Sequence, residues 1–262
     1  MTEPLKSPLV FEDVAFAYNA GTPVLRGLSA RIPPGSITAV LGANGAGKTT
    51  LLLLALGWLV PRSGRVLLEH RTVAEYAHRE RGRIMALVPQ TERMPFNYRV
   101  LDYALMGRAP YLSPLAMPSQ ADVEAAERAL DRAGLGRLAE RAVTSLSAGE
   151  RQLTLISRAL AQEPALLLLD EPASHLDLAN KARVLALIRS LSAQGVTVLL
   201  TTHEPEVASA AAHIVMMRDG RVRHSGPVGE VFTTENLSET YGIPVHVTEA
   251  AGRRVASWVP EP

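Results

Sequence analysis

Eight residues constrain this chain more than any others: Gly42-Ala43-Asn44-Gly45-Ala46-Gly47-Lys48-Thr49. They fit the pattern G-x-x-x-x-G-K-[ST]. Its glycines let a backbone close so tightly that successive N–H groups point inward at phosphate oxygens. A helix beginning near Lys48 aims the positive end of its dipole at the same charge. Lys48 can then reach the β- and γ-phosphates of a nucleotide, and the Thr49 hydroxyl can ligate Mg²⁺, with Thr50 next on the same turn. The surroundings suit the motif. Ser36-Ile37-Thr38-Ala39-Val40-Leu41 reads as a buried strand, and Thr50-Leu51-Leu52-Leu53-Leu54-Ala55-Leu56 as a buried helix. Lysine occurs only at positions 6, 48 and 181, so its presence where the pattern demands it is informative.

The 262 residues are 47% hydrophobic and 20% charged, enough to bury a large core in one large or two small domains. A formal net charge of +1 gives no sign of a nucleic-acid partner. With no cysteine there is no disulfide, thiolate metal site or cysteine nucleophile. The first residues lack the apolar core of a signal peptide. The longest apolar run, 51–60, contains Gly57 and is too short to span a bilayer. The expectation is a cytoplasmic protein whose membrane partner, if it has one, is another chain.

Other polar groups fall at the ends of apolar runs. Residues 9–18 alternate in part and suit an antiparallel strand; Asn19-Ala20-Gly21-Thr22-Pro23 turns it back over 24–32. Tyr18 at its end either packs on its neighbours or lies over a bound base. Residues 64–68 suggest an edge strand, and 83–88 a buried one ending at Pro89-Gln90. Open α/β sheets place ligands at the carboxyl ends of strands. Gln90 is thus either a loop amide or a group that reaches a metal or an attacking water. From 91 to about 146, Pro95, Pro110, Pro114 and Pro118 break up an inserted helical subdomain. One helix covers 100–107. Another opens at Ser119, with Asp122 completing a capping box and Val123, Ala126, Ala129, Leu130 and Ala133 at helical spacing.

Leu146-Ser147-Ala148-Gly149-Glu150 starts a helix running through Ala161. Ser147 with Glu150 is a capping box, which accounts for the stretch locally; a serine and a glycine at an exposed helix start also suit a phosphate. Leu166-Leu167-Leu168-Leu169 is a strand buried on both faces, ending in Asp170-Glu171. Adjacent carboxylates there are costly without a task. With Mg²⁺, Asp170 can hold the metal through its water shell, and Glu171 can orient or deprotonate a water. Ser174-His175-Leu176-Asp177 leads into a helix over 178–193, with Asp177 as N-cap. The strand over 196–200 runs into Thr201-Thr202-His203, where the histidine is either structural or a donor to a γ-phosphate. A hairpin over 214–224 turns at Asp219-Gly220. The tail from 227 onward holds a short helical stretch, Gly242-Ile243-Pro244 and strand residues ending near Trp258, and shows no chemistry.

Taken together, these stretches resemble the ATP-binding subunits of ABC transporters along nearly the whole chain, in the family's order. Gly42 to Thr49 resembles the Walker A loop, Gln90 the Q-loop and Leu146 to Glu150 the signature. Leu166 to Asp170 resembles the Walker B strand, with Glu171 at the catalytic position. Ser174 to Asp177 is similar to the D-loop, His203 to the switch histidine and Tyr18 to the adenine-stacking aromatic. The resemblance implies one ABC ATPase domain over 1–262. Its α/β fold would have a mainly parallel core sheet, an antiparallel β subdomain and the inserted helices. It also implies ATP and Mg²⁺ as ligands, with Thr49, Gln90 and Asp170 toward the metal and Glu171, His203, Gln90 and Lys48 in hydrolysis. Two copies would sandwich ATP head to tail, Ser147 and Gly149 of one closing on the γ-phosphate held by Lys48 of the other. The implied partners are a transmembrane permease and, indirectly, a substrate-binding protein, at the cytoplasmic face of the inner membrane. Ala148 and Glu150 depart from the usual Leu-Ser-Gly-Gly-Gln; alanine suits a helical position, and Glu150 does least harm folded back as a cap.

Within the family, the stretches from Pro95 to Arg108, from Ser174 to Asn180 and from Thr234 to Pro244 look like the metal-chelate importer branch. That branch imports iron–siderophore, haem, cobalamin and, in some members, molybdate or tungstate. Rival readings are a soluble ABC ATPase without a permease, a phosphate-loop kinase or GTPase, and a non-hydrolysing regulatory subunit. One domain without heptads argues against the first. The Ser147 stretch and Asp170-Glu171 argue against the second. Only the altered signature supports the third.

Overall fold

A computed structural model describes residues 3–19, 21–92, 96–250 and 252–258. Ala20 of the first turn and Pro95 of the proline-broken segment lie outside the described residues. β1 (Leu9–Phe16) and β2 (Leu25–Ile32) pair antiparallel, as their alternating burial requires. β3 (Ile37–Leu41) is buried at every position and leads through the glycine loop into α1 (Lys48–Ala55). β4 (Ser63–Leu68) and β5 (Arg71–Thr72) extend the first hairpin into a four-stranded sheet of order β2-β1-β4-β5. α2 (His78–Ile84) and β6 (Met85–Val88) then lead to the helices α3 (Val100–Leu105), α4 (Gln120–Arg132) and α5 (Ala148–Ala161). The chain continues through β7 (Leu166–Asp170), α6 (Leu178–Ala193), β8 (Thr197–Thr202), α7 (Pro205–Ala208) and β9 (His213–Arg218). It closes with β10 (Arg221–Pro227), α8 (Val228–Val231), α9 (Thr234–Tyr241) and the hairpin β11 (Val245–Ala250) and β12 (Arg253–Trp258).

The second sheet has the order β10-β9-β3-β8-β7-β6, parallel except at β10. Because side chains alternate across a strand, neighbouring residues feed different cores. Ala39, Leu41, Leu167, Leu169, Val198 and Leu200 join the cluster that also holds residues of α3 to α6. Val40, Leu166, Leu168 and Leu199 join the one shared with α1 and β1, β2 and β4. Parallel pairing also sends the ends of β3, β8, β7 and β6 to the same side. Leu41 is in register with Thr202, and Thr201 with Asp170. Residues following four adjacent strands therefore meet.

Several boundaries differ from the sequence reading. Residues 83 and 84 end α2 rather than beginning a strand. That helix hid because His78-Arg79-Glu80-Arg81-Gly82-Arg83 shows no apolar stripe. Its buried anchor is instead a cation, Arg81, whose guanidinium donates to the Gly57 carbonyl at 2.7 Å. The helix expected over 100–107 ends at Leu105 and tightens into a 3₁₀ segment, Met106–Tyr111. The strand expected to reach Tyr18 ends at Phe16. The helix starts at Ser119, Ser147 and Asp177 and the span of α6 are as expected.

Arg108 ties the helical segment together. Buried, it donates to Asp122 at 3.0 Å, to Glu163 at 3.1 Å and to the Ala161 carbonyl at 2.8 Å. Hydrogen bonds from Ser119, then from Arg108, hold the Asp122 carboxyl below the usual aspartate range. Removing the cation leaves a buried carboxylate short of a partner, so Arg108→Met should lower the unfolding free energy by about 3 kcal/mol in urea titrations. A depressed pKa stabilises above the unfolded value and is lost as pH falls through the folded one. The stability gap between wild type and Asp122→Asn should therefore narrow below about pH 4. Among the described residues, no helix is long and apolar enough to cross a membrane.

Candidate active site

The glycine loop is shaped by close approach. A Cβ on Gly42 would lie 2.4 Å from the Met217 carbonyl oxygen of β9, which no side chain tolerates. Gly47, with φ +99°, turns the chain into α1 and leaves no room for a Cβ beside Leu25. Lys48, only 6% exposed, is thereby held over the loop. Its ammonium donates to the Gly42 and Ala43 carbonyls at 2.9 and 3.1 Å and lies 3.3 Å from a Glu171 carboxylate oxygen. The Thr49 hydroxyl donates to Asp170 at 2.7 Å. Thr201 donates to the other Asp170 oxygen at 2.5 Å and accepts from the Glu171 N–H at 3.0 Å. Both carboxylate oxygens of Asp170 are thus fixed.

Glu171 leaves β7 with φ +48°, a left-handed conformation uncommon outside glycine, and it carries the carboxylate into the cleft. There it meets Lys48, the Gln90 amide at 3.1 Å and His203 Nδ1 at 2.9 Å. An ionised carboxylate can only accept, so this hydrogen bond assigns the proton to Nδ1. Three residues separated by up to 155 positions of sequence converge on one carboxylate because their strands are neighbours.

The cleft beside them has a volume of about 370 Å³ and is lined by Asn44, Gly45, Gly47, Lys48, Thr49, Thr50, Gln90 and Glu171, with Val24. Ala46 points away from it into the core. Tyr18 stands at its edge: the hydroxyl is 3.1 Å from Thr50 Oγ1, the ring meets Phe16 edge-on, and 58% of the residue is exposed. The oxygen-rich set of Thr49, Asp170 and Gln90 suits a hard cation that takes its remaining ligands from phosphate and water. Among the described residues, no three His, Asp or Glu side chains form a metal cage.

Ser147 and Gly149 do not line this cleft. Ser147 caps α5; its N–H and hydroxyl both donate to Glu150, at 2.9 and 2.8 Å, and hold that carboxyl below its usual range. Gly149 packs so closely on Asn180 that a Cβ would fall 2.1 Å from the amide oxygen. Asn180 is tethered in turn to Asp177, the N-cap of α6. Two further contacts escaped the sequence reading. Thr201 had a visible signal, a hydroxyl inside an apolar strand that requires a partner. Tyr241, whose hydroxyl donates to the His203 carbonyl at 2.8 Å, had none.

This geometry agrees with what the chain is similar to. A family model described as ABC transporter matches residues 25–174, more than half of the chain. The molybdate import ATP-binding protein MolC of Haemophilus influenzae is 38% identical over 247 residues, covering 94% of this chain and 92% of its own length. The chelated iron transport system membrane protein YfeB of Yersinia pestis is 33% identical over 241 residues, covering 91% and 80%. A solved chain from an inward-facing transporter, described as of metal-chelate type, superposes with a TM-score of 0.85 at 37% identity over 98% of both chains. The chain belongs to the ABC transporter family, as an ATP-binding subunit that hydrolyses ATP.

Proposed function

We propose that the chain powers import of a metal chelate through a separate membrane permease, working as two copies that close head to tail on ATP. The observation that carries the hydrolytic reading is the convergence of Lys48, Gln90 and His203 on the Glu171 carboxylate beside the phosphate loop. In the nucleotide-bound state Lys48 exchanges its loop carbonyls and Glu171 for the β- and γ-phosphate oxygens. Glu171, released from the ammonium, takes the proton of the attacking water. His203 turns its Nδ1–H from Glu171 to a γ-phosphate oxygen, and the Gln90 amide orients the water. Thr49, Gln90 and, through water, Asp170 would hold Mg²⁺, which neutralises charge on the phosphates. Tyr18 offers its open face to the adenine.

Composite assembly is supported by the position of Ser147 and Gly149, outside the cleft of their own chain at a helix start suited to an anion. There they are available to the γ-phosphate held by a second copy. Permease docking is supported by a groove of about 300 Å³ lined by α2 and the 3₁₀ segment, with Trp58 and Met106 exposed along it. The reading treats 1–262 as one ABC ATPase domain with the helical subdomain at about 91–146, peripheral at the cytoplasmic membrane face. Relatives named for molybdate and for chelated iron support two cargo classes, and the metal-chelate structural neighbour favours the chelate. The test is uptake into liposomes carrying the permease and binding protein. ATP-dependent accumulation of a ferric siderophore, abolished by Glu171→Gln, is expected. Accumulation of molybdate instead would reassign the cargo.

A further inference from the structure

We propose that Tyr241 is a positioning residue for His203, which makes the C-terminal helix α9 part of the hydrolytic apparatus. The inference rests on the reading of His203 as the γ-phosphate donor. The ladder pairing that fixes β8 ends at Thr202, so the next carbonyl, that of His203, needs a donor from elsewhere. Tyr241 supplies it at 2.8 Å, from 38 residues further along the chain. The imidazole of the same residue is 2.9 Å from Glu171. His203 is thus held at two points, its ring by the catalytic carboxylate and its backbone by the tail.

The donor is well anchored. Thr233 caps α9, accepting from the Asn236 N–H at 3.2 Å, and Gly242 at φ +71° ends it directly after Tyr241. Leu237 and Thr240 are buried, and the Tyr241 ring packs against the main core. Glu239 is gripped from two strands, by His224 at 2.9 Å and through its carbonyl by Arg218. Burial first, then the Glu206 and Glu171 carboxylates, raise the tyrosine pKa, so the hydroxyl keeps its proton and remains a donor. The other restraints lie on the following residue: the Glu204 N–H donates to the Thr202 hydroxyl at 3.0 Å, and the Glu204 carboxylate pairs with Lys181. Neither fixes the His203 carbonyl.

The phosphate loop makes no use of this contact, so its loss should act on turnover and spare nucleotide binding. In the purified full-length chain, Tyr241→Phe keeps the packed ring and removes only the donor. Its kcat should fall about 3- to 10-fold, the range of one net hydrogen bond, with KM for ATP unchanged and Tm lowered only slightly. In a His203→Ala background the same substitution should cost nothing further, because there is no imidazole left to place. An unchanged kcat for Tyr241→Phe, or an equal loss in both backgrounds, would overturn the proposal. Full activity of His203→Ala alone would instead overturn the role of His203, a separate failure. Tyr241→Ala, which also removes packing, should lower Tm, and that effect should persist without His203.

Discussion

Glu171→Gln should reduce steady-state ATP hydrolysis by about 10²- to 10⁴-fold, the contribution of a positioned general base, while leaving ATP affinity intact. The side chains are nearly isosteric, and the amide can still accept from Gln90 and His203. What it cannot do is take a proton from water. The substitution also removes the negative charge that faces Lys48 at 3.3 Å, so the ammonium should transfer to phosphate more readily. Slightly tighter ATP binding with almost no turnover is the expected pair of results, read by equilibrium binding and phosphate release. Turnover near wild type would show that another group accepts the proton.

Lys48→Ala should produce the opposite split, with ATP affinity falling about 10- to 100-fold, as expected for the loss of charge-assisted hydrogen bonds to phosphate. Lys48 and Glu171 are 6% and 7% exposed at the side chain, and removing one leaves the other charged in a site shielded from water. Gln90 and His203 still face the carboxylate, which limits the penalty. The ligand-free variant should therefore be less stable than wild type. Adding Glu171→Gln should recover much of that loss without restoring ATP binding, and urea titration beside nucleotide titration separates the two effects.

Most of the site is readable from sequence because its parts are contiguous. The glycine loop and Lys48-Thr49 occupy eight adjacent positions, and Asp170-Glu171 directly follow four leucines. The Ser147–Glu150 box is local enough that sequence spacing predicts its hydrogen bonds. What the sequence withholds is contact across the sheet. Nothing near Thr201 says that it bridges Asp170 and the Glu171 N–H, and nothing near Tyr241 says that it reaches His203. The first set exists because β7 and β8 are neighbours in the sheet, the second because α9 brings Tyr241 to the end of β8, and local periodicity encodes neither. The α2 boundary is hidden for another reason: a helix anchored by a buried arginine carries no apolar stripe.

On the proposed function, one chain holds only half of a working site, with Lys48 on one side and Ser147 offered to a second copy. Light scattering on Glu171→Gln tests it most directly. With ATP the variant should run at twice the 28.2 kDa of the single chain, and without nucleotide as the monomer. Adding Ser147→Arg should keep it monomeric while ATP still binds at Lys48. An ATP-saturated Glu171→Gln that stays monomeric, or a double variant that dimerises unimpaired, would rule out the composite site.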